Sequence, residues 1–172
     1  MKLIFILSSI FIASTNVFAF TLDSPTNPNY RGWKNSEIQF VVNQASCPSS
    51  VDVAGLLNAS FEIWHKISGT KLKLKVVGQT NLTGPSYPVV VHCVATMGAG
   101  NDDSIPASAS VGRIGDYASS GEIQINGSAG AANVSRYDAN LTMITLSHEV
   151  GHIFGLGHSH DTSALMYYSG ST

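Results

Sequence analysis

His148-Glu149-Val150-Gly151-His152-Ile153-Phe154-Gly155-Leu156-Gly157-His158-Ser159 lies near the end of a 172-residue chain, and Met166 follows eight residues after His158. Residues four apart on a helix share one face, so His148 and His152 can aim their imidazoles at a single metal ion. Glu149 sits about 100° further round the axis, which sets its carboxylate beside that ion. The next helical turn would present apolar Leu156, so a third ligand needs a change of direction. Gly155 allows it, because glycine tolerates positive φ and commonly ends helices. The chain can then swing back and deliver His158. Three protein ligands leave a fourth tetrahedral position for water, the arrangement of a catalytic rather than a structural zinc.

The chemistry expected of such a site is hydrolysis. Zinc lowers the pKa of its water from about 16 toward roughly 7, and Glu149 is placed to act as general base and then to protonate a leaving amine. A bare HExxH pattern also arises by chance in unrelated helices. The added glycine, third histidine and later methionine make accident a poor account of the whole stretch.

HExxHxxGxxH followed by a Met-containing turn resembles the metzincin signature. Within that clan, Gly151-His152-Ile153-Phe154-Gly155-Leu156-Gly157-His158-Ser159 and Ala164-Leu165-Met166-Tyr167 look most like the matrixins, the matrix-metalloproteinase family. The resemblance is strong over residues 140–168 and weaker upstream, at Gly121-Glu122-Ile123-Gln124-Ile125-Asn126. It implies His148, His152 and His158 as zinc ligands, Glu149 as catalytic base, and Met166 as the hydrophobic floor beneath the metal. Tyr168 departs from the pattern, since matrixins usually hold proline two residues after the turn methionine. By resemblance to other metzincin branches, Tyr168 is a candidate donor to the developing oxyanion; its alternative role is to line the substrate pocket.

Residues 1–19 read as a secretory signal peptide, with Lys2 ahead of an apolar stretch and Val17-Phe18-Ala19 as the cleavage site. The stretch is shorter than the ~20 apolar residues of a spanning helix, so stable membrane insertion is not expected. Cleavage near Ala19 would leave residues 20–172 as one matrixin-like metalloprotease domain, extracellular or periplasmic and expected to be monomeric. Charged residues are only 12 % of the chain and the net charge is −2. Without a basic run after the signal, nucleic acid is not an expected partner. Cys47 and Cys93 are the only cysteines, and in an exported protein two cysteines most simply form one disulfide. The matrixin resemblance raises an alternative, a propeptide cysteine held on zinc. Cys47 lacks the arginine, glycine and aspartate that flank that switch.

The expected fold is α+β, a zincin-like domain with a twisted mixed sheet, two main helices and a Met turn. Ile38, Phe40 and Val42 mark a first strand, and Ser49 or Ser50 would cap a helix from Val51 whose core-facing positions are Val53, Leu57, Phe61, Trp64 and Ile67. Gly69 ends it, and His65 on it reads as a surface or partner-satisfied residue. Lys71 to Val77 alternates as a strand with one wet face. Val89 to Val94 reads as a strand buried on both faces, with His92 structural. A fourth strand lies near Ala109–Arg113. Glu122–Asn126 is the strand expected to border the cleft and pair with extended substrate. Asn140 would cap the histidine helix, with Leu141, Ile144 and Met143 facing the core. Trp33 would anchor the lead-in. Asn101, Asp102 and Asp103 offer oxygen ligands, and the matrixin resemblance makes a structural calcium an option; their spacing matches no calcium motif, and a solvated loop is favoured.

The function expected is zinc endopeptidase action on extracellular proteins or peptides. The main rival is a non-catalytic zinc-binding or adhesion module of the same fold, against which Glu149 argues, because metal binding alone needs no carboxylate there. A second rival, a hydrolase of small non-peptide substrates, is disfavoured by an edge strand able to pair with main chain.

Overall fold

Glu37–Asn43 alternates so regularly that Ile38, Phe40 and Val42 are wholly buried, and this strand, β1, starts the sheet. A computed structural model describes residues 29–97, 104–128, 130 and 132–167. After β1 come helix α1 (Val53–His65), β2 (Lys73–Gln79), β3 (Val89–Val94), β4 (Ala107–Ile114), β5 (Tyr117–Asn126) and helix α2 (Ala139–Ile153). Among the described residues the strands form one mixed sheet in the order β2-β1-β3-β5-β4. β1, β2, β3 and β5 run parallel, and β4 is antiparallel to β5 at one edge. Gly115, with φ +60°, turns that hairpin. The α+β class, the mixed sheet and the two helices agree with the expectation from sequence.

Both helices press on the sheet face carrying Phe40, Val91, Cys93 and Ile123. α1 contributes Val53, Leu57, Phe61 and Trp64 to this core, and α2 contributes Leu146, Val150 and Ile153. Phe61 meets Phe40 with ring centroids 4.9 Å apart. Trp64 crosses to α2, donating its indole N–H to Ser147 O at 3.0 Å and packing edge-on against Phe154. The lysine strand behaves as expected, with Leu74 buried and Lys73 and Lys75 exposed. β3 is buried on both faces, and His92 pairs with Glu122 of β5 at 2.6 Å. His65 is satisfied as expected: its Nε2 accepts from Leu74 N–H. Trp33 does anchor the lead-in, bridging to Ala118 and bonding to Ile153 O. Cys47 and Cys93 are joined in a disulfide with Cα atoms 4.9 Å apart.

Several local expectations need correction. α1 is capped by Asp52, whose carboxylate accepts from Gly55 N, rather than by Ser49 or Ser50. The helix stops at His65, which leaves Ile67 outside it and about half exposed. Asp138 rather than Asn140 caps α2, accepting from Leu141 N at 2.7 Å. Each cap was misassigned where several small polar residues adjoin, because only the backbone path decides which side chain reaches the free N–H groups. Replacing Asp138 by Ala should cost about 1 kcal/mol, read as a fall of roughly 3 °C in a thermal melt. Leu141 and Ile144 are exposed, not in the core. They lie seven and four residues before His148, which puts them on the histidine face of the helix. Glu122–Asn126 is also not an edge: β5 lies between β3 and β4, and among the described residues β4 is one of the two edge strands.

Among the described residues no helix is long and apolar enough to cross a membrane. The expected signal peptide (1–19), the acidic triplet Asn101 to Asp103, and Tyr168 lie outside the described residues.

Candidate metal centre

α2 carries His148 and His152 one turn apart, and the chain then leaves the helix through a tight cap. Gly155 adopts φ +89°, its N–H bonds to His152 O at 2.8 Å, and Leu156 N–H bonds back to Gly151 O at 3.1 Å. This six-to-one closure with a left-handed residue is a Schellman motif. It reverses the chain so that His158 returns toward the helix. The three rings then face one another, with centroids 4.8, 4.8 and 5.2 Å apart. One ring nitrogen from each lies within 4.8 Å of the others.

The remaining ring nitrogens of the two helical histidines are tied to backbone carbonyls. His148 Nδ1 bonds Leu165 O at 2.8 Å, and His152 Nδ1 bonds Leu156 O at 2.7 Å. A carbonyl only accepts, so each Nδ1 carries a hydrogen and Nε2 is the nitrogen left to act as a metal ligand. Yet the two Nε2 atoms stand only 3.1 Å apart. Two acceptors facing each other at that distance repel, and either a shared proton or a bound metal ion relieves the repulsion. The residues present therefore fit a soft-to-borderline divalent ion bound by imidazole, and the carbonyl bonds provide the orientation that metal-binding histidines normally receive from their surroundings.

Glu149 is buried, at 6 % exposure. Burial raises its carboxyl pKa to about 7, and a backbone hydrogen bond with Ala109 of β4 pulls weakly the other way. The contact sets the carboxyl against the free edge of the sheet. Met166 is buried at 4 % exposure directly beneath α2. Its backbone carbonyl accepts from Ser159 N–H at 2.6 Å, which joins the segment after His158 to the methionine turn. The turn also supplies Leu165 O to His148, so one short segment orients the first histidine and anchors the strand-like stretch beyond the third. His160 and Asp161 are exposed, and Asp161 accepts from Ser163, whose hydrogen bonds lower its pKa.

Gly151 explains how the parts fit so closely. A Cβ there would run into Met166 Sδ and stand 3.0 Å from Trp64 Cζ2. Gly151→Ala should cost about 1–3 kcal/mol by overpacking, measurable as a lowered urea midpoint with an unchanged slope. A glycine inside a helix already signals such close approach in the sequence. The orienting carbonyls of Leu156 and Leu165, and the Ala109 contact, had no such signal, since every residue type carries the same backbone groups.

The fold brings His148, His152 and His158 together, with Glu149 and Met166 in the same segment. No curated protein sequence matches the chain. The family model described as Matrixin matches residues 98–171, a span holding β4, β5, α2 and the three-histidine cluster. Over these residues the chain is similar to the matrixin family.

Proposed function

We propose that this protein is a secreted zinc-dependent endopeptidase, with zinc held by His148, His152 and His158 and with Glu149 as general base. The observation that carries the reading is the three-histidine cluster, one ring nitrogen from each within 4.8 Å of the others, with the Nδ1 atoms of His148 and His152 bonded to carbonyls. A zinc ion there would lower the pKa of a water toward roughly 7 and polarise the scissile carbonyl. Glu149 accepts the proton of the attacking water and returns it to the leaving amine. Met166 closes the floor under the histidine rings. Tyr168 is a further candidate on the substrate side, as oxyanion donor or as pocket wall.

The free edge of β4 provides the peptide grip. An extended substrate can add to this edge through main-chain hydrogen bonds, which makes binding tolerant of side-chain sequence. The carboxyl of Glu149 is held against the same strand at Ala109, so a backbone laid along β4 passes beside the base. This favours a polypeptide over a small non-peptide substrate. Residues 1–19 as a cleaved export signal and residues 20–172 as the mature domain complete the proposal. The disulfide suits an oxidising compartment.

The test is cleavage of a quenched fluorogenic peptide library by purified protein, with and without a zinc chelator. Activity lost on chelation and restored by stoichiometric zinc is the expected result. Tight zinc binding with no cleavage of any peptide or protein would leave a zinc-binding module instead.

A further inference from the structure

The lead-in ahead of β1 is built into the turn that leaves α2. The Schellman closure occupies the last helical carbonyls, with Val150, Gly151 and His152 accepting from Phe154, Leu156 and Gly155. Ile153 O is the next carbonyl out, and the Trp33 indole donates to it at 2.6 Å across 120 residues of sequence. Two residues on, Gly155 leaves open the space that Tyr30 fills: a Cβ on Gly155 would lie 2.7 Å from the Tyr30 ring. Arg113, at the far end of β4, sets its guanidinium 4.6 Å from the centre of that ring.

Trp33 and Tyr30 are themselves held to the sheet. Arg31 N–H bonds Asp116 O at 2.8 Å, Ala118 N–H bonds Gly32 O at 2.9 Å, and Trp33 bridges to Ala118. The strap therefore joins the β4–β5 hairpin to the helix exit. That exit decides two features of the metal centre. Leu156 O orients His152 through its Nδ1–H. His158 follows Leu156 by two residues, so the path of this turn and the Ser159–Met166 bond set where its backbone runs.

We propose that Trp33 and Tyr30 are positioning residues for the metal centre, acting through Ile153, Gly155 and Leu156 on His152 and His158. The inference rests on the metal-centre reading above. Groups that orient metal-bound histidines typically change metal affinity 10- to 100-fold when removed, and here two aromatic side chains hold the segment that does the orienting.

The experiment measures zinc affinity of the purified protein by competition with a chromophoric chelator, together with the visible spectrum of the Co2+-loaded form. Trp33→Phe keeps a ring and deletes the donor; Tyr30→Ala removes the ring over Gly155. Both should weaken zinc binding, Trp33→Phe by about 10-fold, and both should shift the Co2+ ligand-field bands. Phe61→Leu is the control, a core change far in sequence from the turn that should lower the melting temperature and leave affinity and spectrum alone. Should Trp33→Phe fail to fold, Tyr30→Ala decides by itself. Wild-type affinity and spectrum in the folded strap variants would overturn the inference, leaving Trp33 and Tyr30 as packing residues. A wild-type chain that takes up no zinc would instead overturn the metal-centre reading, and this inference with it.

Discussion

Glu149→Gln should lose peptide turnover by about 10³-fold or more while still binding zinc with its three histidines. Glutamine keeps the size of the side chain and one hydrogen-bonding oxygen, so the helix face and the Ala109 contact survive. It cannot take a proton from water at neutral pH, and general-base assistance is worth about 10²–10⁴-fold. Zinc content measured on the same sample separates loss of the base from loss of the metal. Normal turnover in the variant would remove Glu149 from the mechanism.

The same substitution should stabilise the metal-free protein. Burial favours the neutral carboxyl, so the folded chain keeps this proton up to about pH 7, while the ordinary value is 4.5. Below pH 4.5 the side chain is protonated whether folded or not, and burial of charge costs nothing. As pH rises from 4.5 to 7 the unfolded chain releases the proton first, so stability falls, levelling off above pH 7. At pH 8 the gain from glutamine should be roughly 2–3 kcal/mol, and it should fade toward pH 4 in denaturant titrations of chelated protein. Adding zinc should shrink the difference, because a nearby divalent ion stabilises the carboxylate.

Loss of the Cys47–Cys93 bridge should produce the largest fall in stability. The bridge closes a loop with a sequence separation of 46 that contains all of α1 and β2. Chain-entropy arguments give about 4 kcal/mol for a loop of this size, a large share of the roughly 5–15 kcal/mol that holds a domain together. In a chain of this length the double substitution to serine should lower the melting temperature by about 10 °C. The surroundings are prepared for the bond: Ser46 Oγ accepts from Cys93 N–H at 2.9 Å and donates to Asn43 O at 2.7 Å. Zinc affinity well below the melting temperature should stay unchanged, because the histidines ride on α2 and the turns that follow it. A melt that ignores reducing agent would show that the folded chain does not depend on the bond.

The histidine spacing, Glu149, Gly155 and Met166 were legible because helix period and glycine conformation are local properties. Val53, Leu57, Phe61 and Trp64 were readable for the same reason, as was the alternation of β1 and β2. Leu141 and Ile144 differ from the expected core role although the helix period already places them: at seven and four residues before His148 they share its face, and both are exposed. The disulfide followed from a count of two cysteines, not from their positions.

The edge strand is a different matter. Which of β4 and β5 borders the cleft depends on β5 pairing with β3, a contact between residues some thirty positions apart in a parallel register. Sequence pattern marks both segments as strands and says nothing about that order. The carbonyls of Leu165 and Leu156 that orient the histidines, the reach of Trp33 to Ile153 and the burial that raises the Glu149 pKa belong to the same class. Amino-acid identity by itself determined which side chains gather at the candidate metal centre, because that is settled within one helix and one turn. Tertiary structure alone decided the carbonyls that hold the histidine rings, the proton affinity of Glu149 and the strand beside it, because backbone groups are chemically alike at every position and gain a role only from what folding sets against them.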